Sequence, residues 1–316
     1  MSESLMKHLN LAAPLLALLT TQPCHSHEVD LPDNIATPGV KVSWLVKVKS
    51  FCEGPAIDKA GILYFSEIKG NDQMNWPIWR KDTRDADDEG KPWVVESFQA
   101  NGLAFDSEWR LLAAQKKRIS RFKPDGTLDS ILVESGKNGV EFNQANDLSS
   151  AIDGSLYFTD FGTNVFHLDV MGNLKVVYDK AGAANGIEYI EEESLVYVNE
   201  FGSNLVSRFE INEDGTLRNR TTFVEDLPRV DGATFDSDGN FYAANYAQGK
   251  VQVYNSSGES IGSITIHTPE EYDARPGQMG NASNCAFGGP ENKTLFITGD
   301  GGVYAIPLKT AGRRLP

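Results

Sequence analysis

A motif that returns six times along the chain constrains the fold more than any other feature. It is a polar lead residue, a small or acidic residue and an apolar pair, followed by a turn and a β-rich run. Glu53-Gly54-Pro55-Ala56-Ile57-Asp58 precedes Ile62-Leu63-Tyr64-Phe65, and Asn101-Gly102-Leu103-Ala104-Phe105-Asp106 precedes Leu111-Leu112-Ala113. Asn146-Asp147-Leu148 precedes Leu156-Tyr157-Phe158, and Asn185-Gly186-Ile187 precedes Leu195-Val196-Tyr197-Val198. Asp231-Gly232-Ala233-Thr234-Phe235-Asp236 leads into Phe241-Tyr242-Ala243, and Asn284-Cys285-Ala286-Phe287 into Leu295-Phe296-Ile297. The lead residues lie about 46 residues apart, the length of a unit holding four short strands. Hairpin turns at Asp125-Gly126, Asp153-Gly154, Asp214-Gly215 and Asp238-Gly239 fit that unit, and no helical period of useful length follows residue 40. The spacing predicts an all-β, six-bladed β-propeller with four-stranded blades over residues 42–308. Val42–Val48 is expected to close the ring against Val303–Leu308, hiding an open sheet edge. Gly299-Asp300-Gly301-Gly302 reads as a turn between strands, since no helix follows to hold a phosphate.

Composition narrows the function classes. Among 316 residues, 29 are Lys or Arg and 44 are Asp or Glu, a formal charge of −15. That balance argues against nucleic acid and anionic membrane surfaces as partners. The longest apolar stretch, Leu11–Leu19, contains Pro14 and is far shorter than the roughly 20 residues of a membrane span. With Lys7 and His8 before it and small residues after it, residues 1–26 read as an export signal and the product as periplasmic or secreted. Residues 27–41 are a lead-in and residues 309–316 a C-terminal tail. Cys52 and Cys285 read as two separate buried thiols, with a bridge as the alternative.

In a propeller the innermost strand starts beside the central channel, so the six lead residues face the axis. Amides and carboxylates that converge there are costly to bury without partners. A divalent cation would satisfy them. All the donors are oxygen, which favours Ca²⁺, with Mg²⁺, Mn²⁺ or Zn²⁺ as alternatives. Glu53 and Asp231 supply two negative charges.

These residues, with Leu156-Tyr157-Phe158-Thr159-Asp160 and Asn284 through Pro290, resemble the gluconolactonase/regucalcin-type six-bladed propellers over about residues 50–308. The resemblance implies that Glu53, Asn146, Asn185 and Asp231 hold the metal and that Asp231 is also the general acid or base. It places Asn146 beside the substrate, with Gln144 and Asn101 as further substrate contacts. Regucalcin-like chains carry an Arg two residues before the central Asn, where this chain has Gln144. The implied activity is hydrolysis of a small lactone by metal-assisted attack of water. The alternatives are an organophosphate or phosphoester hydrolase on the same centre, and a non-catalytic propeller that binds through one face. No Gly-x-Ser-x-Gly elbow or His-Glu-x-x-His pair offers another route. His167 and His267 read as strand-surface residues. The loops Ile68–Asn75, Phe161–Asn164, Phe201–Asn204 and Asn245–Gly249 are expected to rim the entrance. Met74, Asn75 and Trp76 stand on one wall of it and Glu270–Asn281 forms a second lip. Trp76 and Trp79 can equally pack the blade, and the acidic Asp82–Gly90 reads as a solvated turn on the opposite face.

Overall fold

A computed structural model describes residues 29–69, 75–266 and 280–313. The expected leader, His267, Met74 and most of the Glu270–Asn281 lip lie outside these residues. The described chain is an all-β propeller whose non-strand elements are three short 3₁₀ turns. Among the described residues no helix is long and apolar enough to cross a membrane.

Three sheets have the expected four antiparallel strands in sequence order. The first is Leu103–Phe105, Leu111–Gln115, Arg118–Phe122 and Leu128–Glu134. The next two begin with Ala145–Ser150 and Ala184–Ile190 and end with Leu174–Tyr178 and Leu217–Val224. A fourth sheet, from Val230–Phe235 to Ser260–Thr265, gains a fifth strand when Val29–Asp30 pairs with its outer edge.

The period predicts six separate blades, and the hydrogen bonding makes five. The first and sixth units are fused in one sheet of six strands. The cause is the length of two strands, Ser43–Ile57 and Thr294–Pro307. Ser43–Ile57 pairs through its first part with Thr294–Pro307, from Ser43↔Ala305 to Phe51↔Asp300. Through its second part it pairs with Ile62–Ile68, from Phe51↔Ile68 to Ile57↔Leu63. The ring thus closes where Val42–Val48 was expected to close it. Gly299 through Gly302 lie inside a continuous strand and are not a turn between two.

Apolar faces of neighbouring sheets pack against each other. Leu112, Ala114 and Ile119 of one meet Leu148, Phe158 and Phe166 of the next. Second strands are covered on both faces, which is why Leu111–Gln115 and Phe241–Asn245 are buried throughout. Outermost strands such as Leu217–Val224 are largely exposed and polar. Cys52 and Cys285 are buried, unbridged thiols.

Candidate functional site

The inner strands begin with a defect that repeats. Pairing of five of the six with their second strands shifts register between Glu53 and Ala56, Ala145 and Leu148, Ala184 and Ile187, Val230 and Ala233, and Ala282 and Asn284. A bulge of this kind re-aims side chains, and here it falls on the lead residues. Glu53, Asn101, Asn146, Asn185, Asp231 and Asn284 are all buried. The residue that follows is glycine in four units, because a side chain there would strike the next unit. A Cβ on Gly186 would lie 2.5 Å from the Asp231 carbonyl oxygen, and one on Gly232 would lie 2.0 Å from Asn284 Cγ.

Hydrogen bonds between units hold the ring in place. Ser66 Oγ donates to the Asn101 carbonyl at 2.6 Å, Thr159 Oγ1 to that of Asn185, and Asn199 Nδ2 to that of Asp231. Ser283 Oγ donates to the Cys52 carbonyl at 2.6 Å, tying in the backbone beside Glu53.

The third unit departs from the glycine rule with Asp147, a channel residue that the sequence reading leaves without a role. Its carboxylate occupies the space that Gly102 leaves open, where a Cβ would come within 2.3 Å of Oδ1. It accepts hydrogen bonds from Leu148 N at 2.9 Å and Asn284 Nδ2 at 3.3 Å. The sequence signal was there: an acid at the one position the repeat otherwise keeps small.

Three carboxylates therefore share one water-poor channel. Burial, and then the Asp147 charge, push Glu53 up to about 8 against hydrogen bonds from Gly54 N and Asn284. Burial raises Asp147 to about 6. Asp231 is raised by burial, by Glu53 and by Asp147, and the Asn185 amide opposes the rise. A cation among them would offset the burial, and for Glu53 and Asp231 the neighbouring charge, that raises these carboxyls. Among the described residues no three acids, histidines or cysteines stand close enough to form a metal cage by themselves. The amides Asn146 and Asn185 are therefore needed to complete an all-oxygen donor set. With them the donors fit a hard divalent ion.

Gln144 sits half-buried on the rim, where its backbone N–H donates to Asp160 Oδ1 at 2.6 Å. Its carbonyl accepts from Phe161 N at 3.2 Å. Asn101 is fixed through its backbone, its N–H donating to the Ala114 carbonyl at 2.8 Å. His167 is not on a strand surface: it is buried against Tyr157, ring centroids 4.6 Å apart, under Gly215. Trp76 is buried in the sheet, and Trp79 stacks on Phe65. The acidic Asp82–Gly90 turn wraps a buried Lys81, whose Nζ donates to the Asp85 and Asp88 carbonyls.

Beyond Asp147 and Asn284 the channel widens into a cavity of 320 Å³, lined by Ser149, Glu188, Tyr189 and Thr234. Arg313 stands at its far end, paired to Glu192 at 2.8 Å and Glu193 at 3.2 Å. The C-terminal segment is docked there, with Gly312 N on the Asn292 carbonyl and Arg313 N on that of Phe235.

The geometry has counterparts of known activity. Residues 51–300 match the SMP-30/gluconolactonase/LRE-like region family model. The chain is 25% identical to the lactonase drp35 of Staphylococcus saprophyticus, over 91% of this chain and 90% of that one. It is 25% identical to the pentonolactonase XacC of Haloferax volcanii, over 66% and 69% of the two chains. Among solved structures, a gluconolactonase from Xanthomonas campestris superposes with a TM-score of 0.72 at 25% identity, covering 90% of this chain and 96% of that one. The calcium-binding protein regucalcin from Agrobacterium tumefaciens has the same fold, with a TM-score of 0.67 at 17% identity over 92% and 97%. With a family match that spans the lead residues from Glu53 to Asn284, the chain belongs to the SMP-30/gluconolactonase/LRE-like family.

Proposed function

We propose that this protein is a divalent-cation-dependent hydrolase that opens small lactones. The observation that carries the reading is the buried pair Glu53 and Asp231, each carboxyl raised by burial, with the Asn185 amide bonded to Asp231 and the buried Asn146 leading the third inner strand of the same ring. Burying two mutually repelling acids is costly for a scaffold and useful for a cation site. The activities named for the lactonase relatives support the same reading.

Glu53 and Asp231 would be the charged ligands, and the Asn146 and Asn185 side-chain oxygens the neutral ones. Ca²⁺ suits that set best, the calcium-binding regucalcin neighbour supports it, and Mg²⁺, Mn²⁺ and Zn²⁺ are the comparisons to run. When bound, the cation supplies polarisation of the lactone carbonyl and raises the acidity of water beside it. Asp231 takes the proton from the attacking water, then returns it to the leaving alkoxide. Asn146, Gln144 and Asn101 orient the ring. The channel is narrow and buried there, so bulk water does not compete for those positions.

A panel of lactones and one phosphotriester, assayed before and after chelation, tests this. Lactone hydrolysis should disappear on chelation and return with Ca²⁺. Asp231→Asn should lose about 10²–10⁴-fold in kcat even at saturating cation. Glu53→Gln should be restored by excess cation. Phosphotriester turnover without lactone turnover would move the substrate class. Activity indifferent to chelation would overturn the cation role.

A further inference from the structure

The rim above the lead residues has a repeating geometry of its own. The first residue after a second strand donates its backbone N–H to the loop that enters the inner strand of its own unit, as Lys116 N does to the Phe98 carbonyl at 3.1 Å. Phe161 N bonds the Gln144 carbonyl, Phe201 N that of Ala183, and Tyr246 N that of Arg229, at 3.0 to 3.2 Å. Two rings thus surround the channel mouth. One holds Phe161, Phe201 and Tyr246. The other holds the residues two before each lead: Phe51, Gln99, Gln144, Ala183, Arg229 and Ala282.

In the first ring and at Phe51 the side chains make a continuous aromatic wall. Phe161 meets Phe201 with ring centroids 5.6 Å apart, Phe201 meets Tyr246 at 5.8 Å, and Tyr246 meets Phe51 at 5.7 Å. None of the four is in the core; Phe161 is 48% exposed. The wall borders the carboxylate channel: Tyr246 N bonds the Arg229 carbonyl, two residues before Asp231, and Phe51 stands two residues before Glu53.

In the second ring a single residue carries a charge, Arg229. Its guanidinium lies over the Phe201 ring, 5.0 Å from the centroid, and among the described residues it has no carboxylate partner. It is exposed and adopts φ +52. The left-handed region brings a Cβ too close to the following carbonyl oxygen, so glycine or asparagine would fold better there. Gln99 and Ala183 share this backbone, at φ +57 each, so the fold imposes the conformation and an arginine occupies it at a cost. Strain of this kind gathers where a side chain has a task.

We propose that Arg229 is a substrate-specificity residue: it binds the carboxylate of a ring compound whose apolar face lies on the wall of Phe51, Phe161, Phe201 and Tyr246. The inference rests on the lactonase reading of the same site. A guanidinium stacked by one face on Phe201 keeps its N–H edges free for a bidentate carboxylate. Phenylalanine rings offer no hydrogen-bond partner to a polyhydroxylated ring, whose edge hydroxyls would lose water against the wall without replacement. The favoured substrate is therefore a lactone with an apolar or aromatic face and an anionic substituent.

The test compares kcat/KM for a phenyl-substituted lactone with and without a carboxylate on the phenyl ring, alongside direct calorimetric binding of phenylacetate. Arg229→Asn should lower the ratio of carboxylated to neutral substrate about tenfold, through KM. Arg229→Lys should restore part of that ratio, and the Tm of Arg229→Asn should equal or exceed that of the parent. Phenylacetate binding should weaken in Arg229→Asn. If lactones are hydrolysed and the ratio is unchanged, or falls instead in Lys116→Gln, the Arg229 assignment is wrong. If no lactone is hydrolysed but phenylacetate binding still requires Arg229, the assignment stands and the lactonase reading falls. Equal phenylacetate binding by parent and variant overturns it in either case.

Discussion

Gly102 and Asp147 explain each other. A glycine whose Cβ would sit 2.3 Å from Asp147 Oδ1 and 2.7 Å from the Asn146 carbonyl oxygen is there to admit a carboxylate and a neighbouring backbone. The Asn146 carbonyl oxygen and the Asp147 Cα, also at 2.7 Å, are backbone and cannot swing aside, so Gly102→Ala must push the third inner strand outward. It should cost about 1–3 kcal/mol, the usual penalty for overpacking a close-packed interior. Gly162→Ala is the control, since its Cβ would meet only the Asp160 carbonyl at 3.7 Å. Chemical unfolding of both variants checks the difference, and equal midpoints would refute the close approach. The Asp147 carboxylate was legible in the sequence as an exception to a rule. Its role was not, because motif matching weighs the residues that repeat and passes over the one that departs.

At the level of elements, an acid on the second strand of three units does a common job. Asp160 accepts from Asn143 N and Gln144 N, Glu200 from Gly182 N at 2.8 Å, and Asp300 from Asn281 N at 3.0 Å. Each braces the loop that delivers the lead residue of its own unit, which is why bulged strands still hold their side chains in register. The repeat made the inner strands and their turns readable, since Gly, Asn and Asp mark every tight position. The fusion of the first and sixth units was less readable. Its only signal is the lack of Gly or Pro from Lys41 to Glu53, which permits one strand where two were assumed. Gly301 and Gly302 misled in the opposite sense: their φ of +83 and +130 lets the Val46 carbonyl approach while the ladder continues. The closing strand carries the ring's integrity. Deleting the chain through Val48 strips Thr294–Pro307 of a neighbour and removes Val29–Asp30 from the edge of Ser260–Thr265. Two exposed edges should drive association, visible as higher-order species in size-exclusion chromatography with light scattering. A monodisperse, cooperatively melting product would show that closure is dispensable.

For the whole molecule, the buried acids make stability depend on pH in an unusual direction. In the unfolded chain Glu53 and Asp147 ionise near pH 4, whereas the folded, cation-free protein holds their protons to about 8 and about 6. The native state therefore binds more protons than the unfolded state across that interval, and stability falls as pH rises through it. Carboxylates lowered by surface hydrogen bonds, such as Asp125 and Asp169, are ionised in both states above about pH 5 and add no slope there. His167, lowered by burial, works the other way and only below about pH 6.5, where it offsets part of the fall. The Tm of chelated protein should drop by several degrees between pH 5 and 8. Added Ca²⁺ should raise Tm more at pH 8 than at pH 5, because at the lower pH it must displace the protons itself. Net negative charge across the surface could produce a similar slope, and Glu53→Gln separates the causes. The variant removes one buried ionisation and leaves the surface almost untouched, so its chelated form should show a flatter profile than the parent. A profile as steep as the parent's would assign the pH dependence to the surface and take the channel acids out of the stability balance.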